Sequence, residues 1–365
     1  MDRLCDFNLT LEVLEGCGFH CGGCTVDKEH VPDLVTTDVT DRLLALVDDL
    51  HSKEFRPFEF SMAPTDILSA SNGLAVLDTP LIRGMAQRFD SMVLTLALLR
   101  EEGLRELAEK ADELMAGKWI RLVVPITVKN STNEKYIALL RERVLYFNSF
   151  LKKSSIRSVY LTVNMYRDNM ELINPEYHKQ VMSINLGVRT ITDYTFTHSR
   201  KGFENLMVLE EFKRDVMKFT QLIADNDSKF VGHLLPDPFD GVELCYRDNT
   251  LYHIPVIMEK FPIFDPFFEI PAPWNAESVI EYKQNQYHEN LATFTDHPTC
   301  GDCCHVNLCT HGDLHSTMRH LKIDYCPLGV KNRYDLLREY GKELQHCGTD
   351  LNKLLNSRDN HEPTC

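Results

Sequence analysis

The chain has 365 residues, and 39 basic against 54 acidic side chains give a formal charge of −15. Its 43% hydrophobic and 25% charged residues are an ordinary globular mixture, and its length suits about two domains or one large α/β barrel with an appendage. The acidic balance argues mildly against nucleic acid, no apolar run is long enough to cross a bilayer, and a core of this size needs no disulfides for stability. That leaves twelve cysteines to explain. The opening Met1-Asp2-Arg3-Leu4-Cys5-Asp6 has no basic start followed by an apolar run. The expectation is a cytoplasmic protein, in a reducing compartment where clustered cysteines bind metal more often than they pair.

Leu9–Leu14 alternates apolar and polar residues and reads as a strand running into Glu15-Gly16-Cys17. Thr37–Leu50 has apolar residues at helical spacing, Val39, Leu43, Leu44, Val47 and Leu50. Pro57–Met62 is strand-like, Leu74–Phe89 helical, and Ser91–Leu98 a third strand. Glu101–Ala116 reads as a helix closed by Gly117. Trp119–Val128 makes a fourth strand, Asn133–Leu151 a helix, Ser158–Met165 a fifth strand, Glu176–Ile184 a helix and Val188–Phe196 a sixth strand, before a long helix over Phe203–Ile223. Strands alternating with helices in this way predict parallel βαβ units and a partial or complete barrel, whose chemistry sits at the carboxyl ends of the strands. From Pro236 the texture changes to a proline-punctuated, aromatic-rich stretch read as a bridge over 236–290. A small module over 291–330 and a closing helix and tail over 331–365 follow.

The cysteines are at 5, 17, 21, 24, 245, 300, 303, 304, 309, 326, 347 and 365, so a cysteine-free scaffold between Cys24 and Cys245 carries a cluster at each end. Cys5, Cys245, Cys304, Cys347 and Cys365 read as ordinary small hydrophobes or spares. Cys17-Gly-Phe-His-Cys21-Gly-Gly-Cys24 has the spacing C-x3-C-x2-C just past the first strand. A zinc site there needs a fourth ligand, for which His20 and His30 are at hand; a cubane iron–sulfur cluster on three thiolates leaves one iron open.

Three closely spaced cysteines after strand one of a βα series resemble the radical S-adenosylmethionine (SAM) superfamily, across roughly residues 7–235. The resemblance implies a partial (β/α)6 TIM-like barrel, residues 1–235, whose 4Fe–4S cluster on Cys17, Cys21 and Cys24 binds SAM and cleaves it to a 5′-deoxyadenosyl radical. It also implies an electron donor such as flavodoxin or ferredoxin. The family places an aromatic or aliphatic residue before the third cysteine; Gly23 stands there, which passes contact with the adenine to Phe19 or His20. In place of the family's Gly-Gly-Glu type motif stands Phe60-Ser61-Met62-Ala63-Pro64-Thr65-Asp66. Thr65 and Asp66 are the oxygen-bearing candidates for the SAM ammonium, the alternative being a capped turn before a helix. By position, Thr127 and Arg141 are candidates for the ribose and carboxylate, and Asn164 a weaker one.

Cys300-Gly-Asp-Cys303, then Cys309 and Cys326, resemble a reduced form of the SPASM auxiliary module. Asp313 stands where the full module has a further cysteine. The resemblance implies one auxiliary 4Fe–4S cluster on Cys300, Cys303, Cys309 and Cys326, a small irregular iron–sulfur module following the barrel. Tyr194, Asp193, His198 and Asp313 are acid/base candidates. The leading expectation is a radical SAM enzyme, oxidoreductase or isomerase, abstracting hydrogen from an amino-acid-type substrate, a peptide side chain or an amino-acid adduct. Only sixteen residues precede Cys17, which leaves no room for an N-terminal peptide-binding domain and keeps a second expectation open: an isomerase rearranging an amino-acid-modified thymine in phage DNA hypermodification, on a modified-nucleotide substrate. A third is a non-catalytic iron–sulfur or zinc scaffold.

Overall fold

In the computed structural model, residues 5–19, 30–62, 64–196, 214–215, 218–219, 222, 242–253 and 266–293 are described. β1 (Cys5–Leu11), β2 (Phe55–Ser61), β3 (Ser91–Thr95), β4 (Trp119–Thr127), β5 (Ser155–Met165) and β6 (Thr190–Phe196) lie side by side in chain order, each neighbouring pair parallel. Between them run α1 (Thr37–Ser52), α2 (Gly73–Val76), α3 (Pro80–Arg88), α4 (Leu104–Leu114), α5 (Val128–Ser131), α6 (Glu134–Ser149) and α7 (Pro175–Met182). The expected mixed α/β architecture, a partial TIM-like barrel, is the observed one. Of the helix expected over Phe203–Ile223, residues 214, 215, 218, 219 and 222 are described, and all are helical.

The two sequence periods explain the layers. In β4, Ile120, Leu122, Val124 and Ile126 are buried in the apolar core, while Arg121, Val123, Pro125 and Thr127 alternate onto the other face. α1 buries Val39, Leu43, Leu46, Val47 and Leu50, a stripe at helical spacing. Thr36 starts it by accepting a hydrogen bond from the Val39 N–H at 3.3 Å, and Thr79 caps α3 through Ile82 at 3.4 Å with Pro80 in the first turn. Leu44 of α1 packs against Gly84 of α3, where a Cβ would stand 2.6 Å from the Leu44 side chain; the two helices approach closely because that position carries none.

The inner face of the sheet is polar at its floor. Arg121 Nη1 donates to Glu59 Oε2 at 2.6 Å, Ser91 Oγ donates to Glu59 Oε1 at 3.0 Å, and the Arg121 guanidinium lies 4.7 Å from the Tyr160 ring centre. Burial raises the Glu59 carboxyl against the pull of Arg121 and Ser91. Beside it Asn8 donates to Glu243 at 3.1 Å.

A strand pair and a helix, three elements over and just past the expected bridge, were not anticipated. β7 (Val242–Arg247) pairs parallel with the free side of β1, and β8 (Thr250–His253) returns antiparallel, giving the sheet order β6-β5-β4-β3-β2-β1-β7-β8. The turn residues Asp248 and Asn249 have φ of 49° and 59°, the left-handed geometry of a two-residue hairpin that Asp and Asn tolerate. α8 (Ala276–Thr293) follows, its Ala276 N–H donating to Asp49 of α1 at 2.7 Å. Both escaped notice for physical reasons: the strands are short, and the helix carries no strong apolar stripe.

Candidate functional site at the carboxyl ends of the strands

The loop leaving β1 and the loop leaving β2 are sewn together by main-chain and amide hydrogen bonds. Asn72 Nδ2 donates to the Val13 carbonyl at 2.8 Å, and Asn72 Oδ1 accepts the Glu15 N–H at 2.8 Å. Ser71 N–H donates to the Glu15 carbonyl at 3.0 Å and Gly18 N–H to the Ser69 carbonyl at 3.2 Å. This stitching fixes Cys17, half-buried, with its Sγ 3.1 Å from the Ser69 hydroxyl. The same hydroxyl lies 3.0 Å from the Asp66 carbonyl oxygen, so its single proton serves either that oxygen or the sulfur. A thiolate at Cys17 would draw it to the sulfur.

Asp66 is buried, and both carboxylate oxygens are engaged by main chain: Oδ1 accepts the Leu68 N–H at 2.8 Å, and Oδ2 the Ala97 N–H beyond β3. Its backbone carbonyl accepts from Ser69 and Ala70 at 3.0 and 3.1 Å. Burial raises the Asp66 carboxyl, while the N–H groups of Ala97, Leu68 and Ser69 work to lower it. The residue thus shapes the capped turn, and Thr65 beside it is buried as well.

A cavity of about 470 Å³ opens between these loops and the one after β3, lined among others by Phe19, Asp66, Leu68, Leu98 and Arg100. The exposed Arg100 guanidinium lies 5.5 Å from the Phe19 ring centre, a cation–π contact. Leu98 sits in this wall at a φ of 55°, unusual for a side chain of its bulk. Gly73 closes the cavity floor; a Cβ there would stand 2.4 Å from the Ile67 carbonyl oxygen, so the close backbone approach requires glycine. Ser69, Leu98 and Arg100 were missed by sequence reasoning. Arg100 had a signal, a guanidinium directly after the apolar run that ends strand three.

Thr127 ends β4 and caps α5 by accepting the Asn130 N–H at 3.3 Å. It is in register with Asn164 of β5, so these two stand together at the barrel mouth. Arg141 lies exposed on α6. Tyr194 faces the helices instead of the barrel interior: it is buried, in register with the buried Val163, and its hydroxyl lies 2.8 Å from His178 Nδ1 of α7. Asp193, on the opposite face of β6, accepts the Tyr194 N–H at 2.9 Å. His30 is occupied by Asp248, 3.0 Å away. Cys245 is buried on β7, and burial pushes its thiol up. His20, Cys21, Gly23, Cys24, His198, Cys300, Cys303, Cys309, Asp313 and Cys326 lie outside the described residues. Among the described residues no three His, Cys, Asp or Glu side chains gather as a metal site. The donor that is described, Cys17, fits a cluster: a partly accessible thiol at the carboxyl end of the first strand with a hydroxyl donor beside its sulfur.

Parallel strands alternating with helices, with Cys17 just past the end of the first strand, frame this site. Comparison with solved structures finds the same fold. The chain is similar to native anSMEcpe with bound AdoMet and Cp18Cys peptide, with a TM-score of 0.56 and 12% identity over 94% of this chain and 98% of that one. It is similar to hexahistidine-tagged anSMEcpe with bound AdoMet at a TM-score of 0.55 and 11% identity, over 98% of this chain and all of that one. At such identities the likeness establishes the fold. No protein-family model matches the chain, and no curated protein matches it in sequence. No helix among the described residues is long and apolar enough to cross a membrane.

Proposed function

We propose that the protein is a radical SAM enzyme that reductively cleaves S-adenosylmethionine and abstracts hydrogen from an amino-acid-type substrate. The observation that carries this reading is Cys17 held at the carboxyl end of β1, first of a C-x3-C-x2-C loop, on the fold of an AdoMet-bound structure. When bound, a 4Fe–4S cluster on Cys17, Cys21 and Cys24 supplies the electron that breaks SAM to a 5′-deoxyadenosyl radical. The protein's own part is to bind, orient and exclude water. Cys17 supplies a thiolate beside the Ser69 hydroxyl, Phe19 offers a ring to the adenine, and Thr65 an oxygen to the ammonium. Asp66 holds that turn in place. Thr127 and Asn164 face the ribose side of the mouth, and Arg141 is the candidate for the carboxylate.

A peptide or single amino acid is the favoured substrate class, supported by the Cp18Cys peptide bound to anSMEcpe. The second cysteine group is proposed to hold an auxiliary 4Fe–4S cluster, and flavodoxin or ferredoxin to supply electrons. The experiment is anaerobic loading with iron and sulfide, reduction, addition of SAM and assay of 5′-deoxyadenosine. Its appearance supports the reading; its absence under several reductants refutes it and leaves a non-catalytic scaffold.

A further inference from the structure

The β7–β8 turn reaches the segment that closes the cysteine loop. His30 Nε2 lies 3.0 Å from both carboxylate oxygens of Asp248. Asp33 N–H donates to Asp248 Oδ1 at 3.2 Å, and Asn249 Nδ2 donates to Asp33 Oδ2 at 3.0 Å. The His30 carbonyl accepts the Gly16 N–H at 3.1 Å, so Gly16 and His30 are the two feet of the chain segment whose sequence holds Cys17, Cys21 and Cys24. Arg247 completes the grip on the incoming side, bridging Asp248 at 3.1 Å and Glu12 at 3.3 Å. The Arg247 and Glu12 side chains are only 13% and 16% exposed, which shields that pair from screening better than a surface pair, while Asp248 itself is 39% exposed.

We infer that the β7–β8 turn is a clamp that sets the spacing and orientation of the two feet of the cysteine loop, with Asp248 the positioning residue acting through His30. This rests on the reading of Cys17, Cys21 and Cys24 as cluster ligands. Three thiolates must converge on one cluster, and a loop fixed at its base loses less conformational entropy on converging than a free one. Asp248 is suited to the task because one carboxylate receives donors from both His30 and Asp33. The hairpin also precedes the second cysteine group in sequence, so the chain grips the first group before it reaches the second.

The test uses the full chain with Asp248→Ala and Asp248→Asn. In unloaded protein, hydrogen exchange is followed at Gly16 and Asp33, and alkylation of Cys17 by iodoacetamide is followed by mass spectrometry. In loaded protein, the decay of cluster absorbance under a ferrous chelator is timed. Asp248→Ala should speed exchange at Gly16 and Asp33 about tenfold, as expected for loss of charge-assisted hydrogen bonds, quicken Cys17 alkylation and shorten cluster lifetime. Asp248→Asn keeps an acceptor for Asp33 and His30 and should recover most of the wild-type behaviour. Wild-type exchange and alkylation rates in Asp248→Ala overturn the clamp, as does an equal acceleration across the whole sheet, which would mark general destabilisation. A wild-type protein that takes up no iron refutes the cluster reading alone, because exchange in the unloaded protein decides the clamp independently.

Discussion

Replacing Asp66 by alanine separates a turn-shaping role from a ligand-binding one. The carboxylate joins the β2 loop to the end of β3 by accepting the N–H groups of Leu68 and Ala97. Ala97 is 4% exposed, so its N–H gains no water when the acceptor goes, and a buried unsatisfied donor costs about 1–3 kcal/mol. Leu68 is half-buried and water can reach it, which limits that loss to about 1 kcal/mol. Asp66→Ala should therefore destabilise the unloaded protein by about 2–4 kcal/mol. Asp66→Asn, with one acceptor retained and an amide N–H turned against the other donor, should fall between. The assay is urea unfolding followed by circular dichroism, run beside the KM for SAM in loaded protein. The reasoning is refuted if Asp66→Ala unfolds at the wild-type midpoint while the KM for SAM rises roughly tenfold or more, equivalent to about 1.4 kcal/mol of binding. The carboxylate would then serve the ligand first.

Loaded wild-type protein should carry about eight iron atoms per chain, two cubanes, and four iron with one zinc, measured by elemental analysis, would show that the second cysteine group was misread. Cys21→Ala should abolish 5′-deoxyadenosine formation, whereas Cys303→Ala should spare part of it if the second cluster acts on substrate alone; equal loss in both contradicts that division. Gly73→Ala forces a Cβ to 2.4 Å from the Ile67 carbonyl and should cost about 1–3 kcal/mol, read as a lower melting temperature of the unloaded protein. Asp112 is buried, and burial alone would raise its carboxyl. The N–H groups of Lys153, Ser154 and Lys152, at 2.8, 2.7 and 2.9 Å, with the Ser154 hydroxyl at 2.9 Å, more than offset this and hold it below the usual range. A lowered carboxyl contributes stability that is whole above its unfolded pKa and lost as pH falls through the native one. Asp112→Asn should thus destabilise at neutral pH, and the gap to wild type should narrow as unfolding is repeated below about pH 4.

The barrel was legible because two periods do not imitate each other. The alternation Ile120, Leu122, Val124, Ile126 marks a strand with one face in the core, and Val39, Leu43, Val47, Leu50 mark one helical stripe. Leu44, expected on that stripe, sits beside it against Gly84, while Leu46 is fully buried; the contacting helix decides which flank is covered. The hairpin was hidden because Val242–Arg247 carries Glu243 and Arg247 and Thr250–His253 is only four residues long, although Asp248-Asn249 was a usable turn signal. α8 was hidden because its sequence is polar on most sides, its placement depending on tertiary contacts such as that with Asp49. At the site, Cys17 was read from the cysteine spacing, and Phe19 was named only as a stand-in for the residue that Gly23 replaces. Ser69 and Arg100 were not read, because their importance lies in which loops meet, and loop meetings leave no local period.

β1 is an inner strand: β2 lies on one side of it and β7 on the other. The strand that delivers the first cysteine therefore owes half its ladder to residues more than two hundred positions later, Phe7 matching Val242 and Leu11 matching Tyr246. A chain ending before Val242 would present β1 as an open edge with unpaired amides and carbonyls, a template for intermolecular association. Cleavage between β6 and β7 that leaves both pieces in solution could be tolerated only if the hairpin re-docked. In folding terms, the last-made part of the sheet is what seals its first-made strand, so the cysteine loop acquires its base only after the chain beyond the barrel has been synthesised.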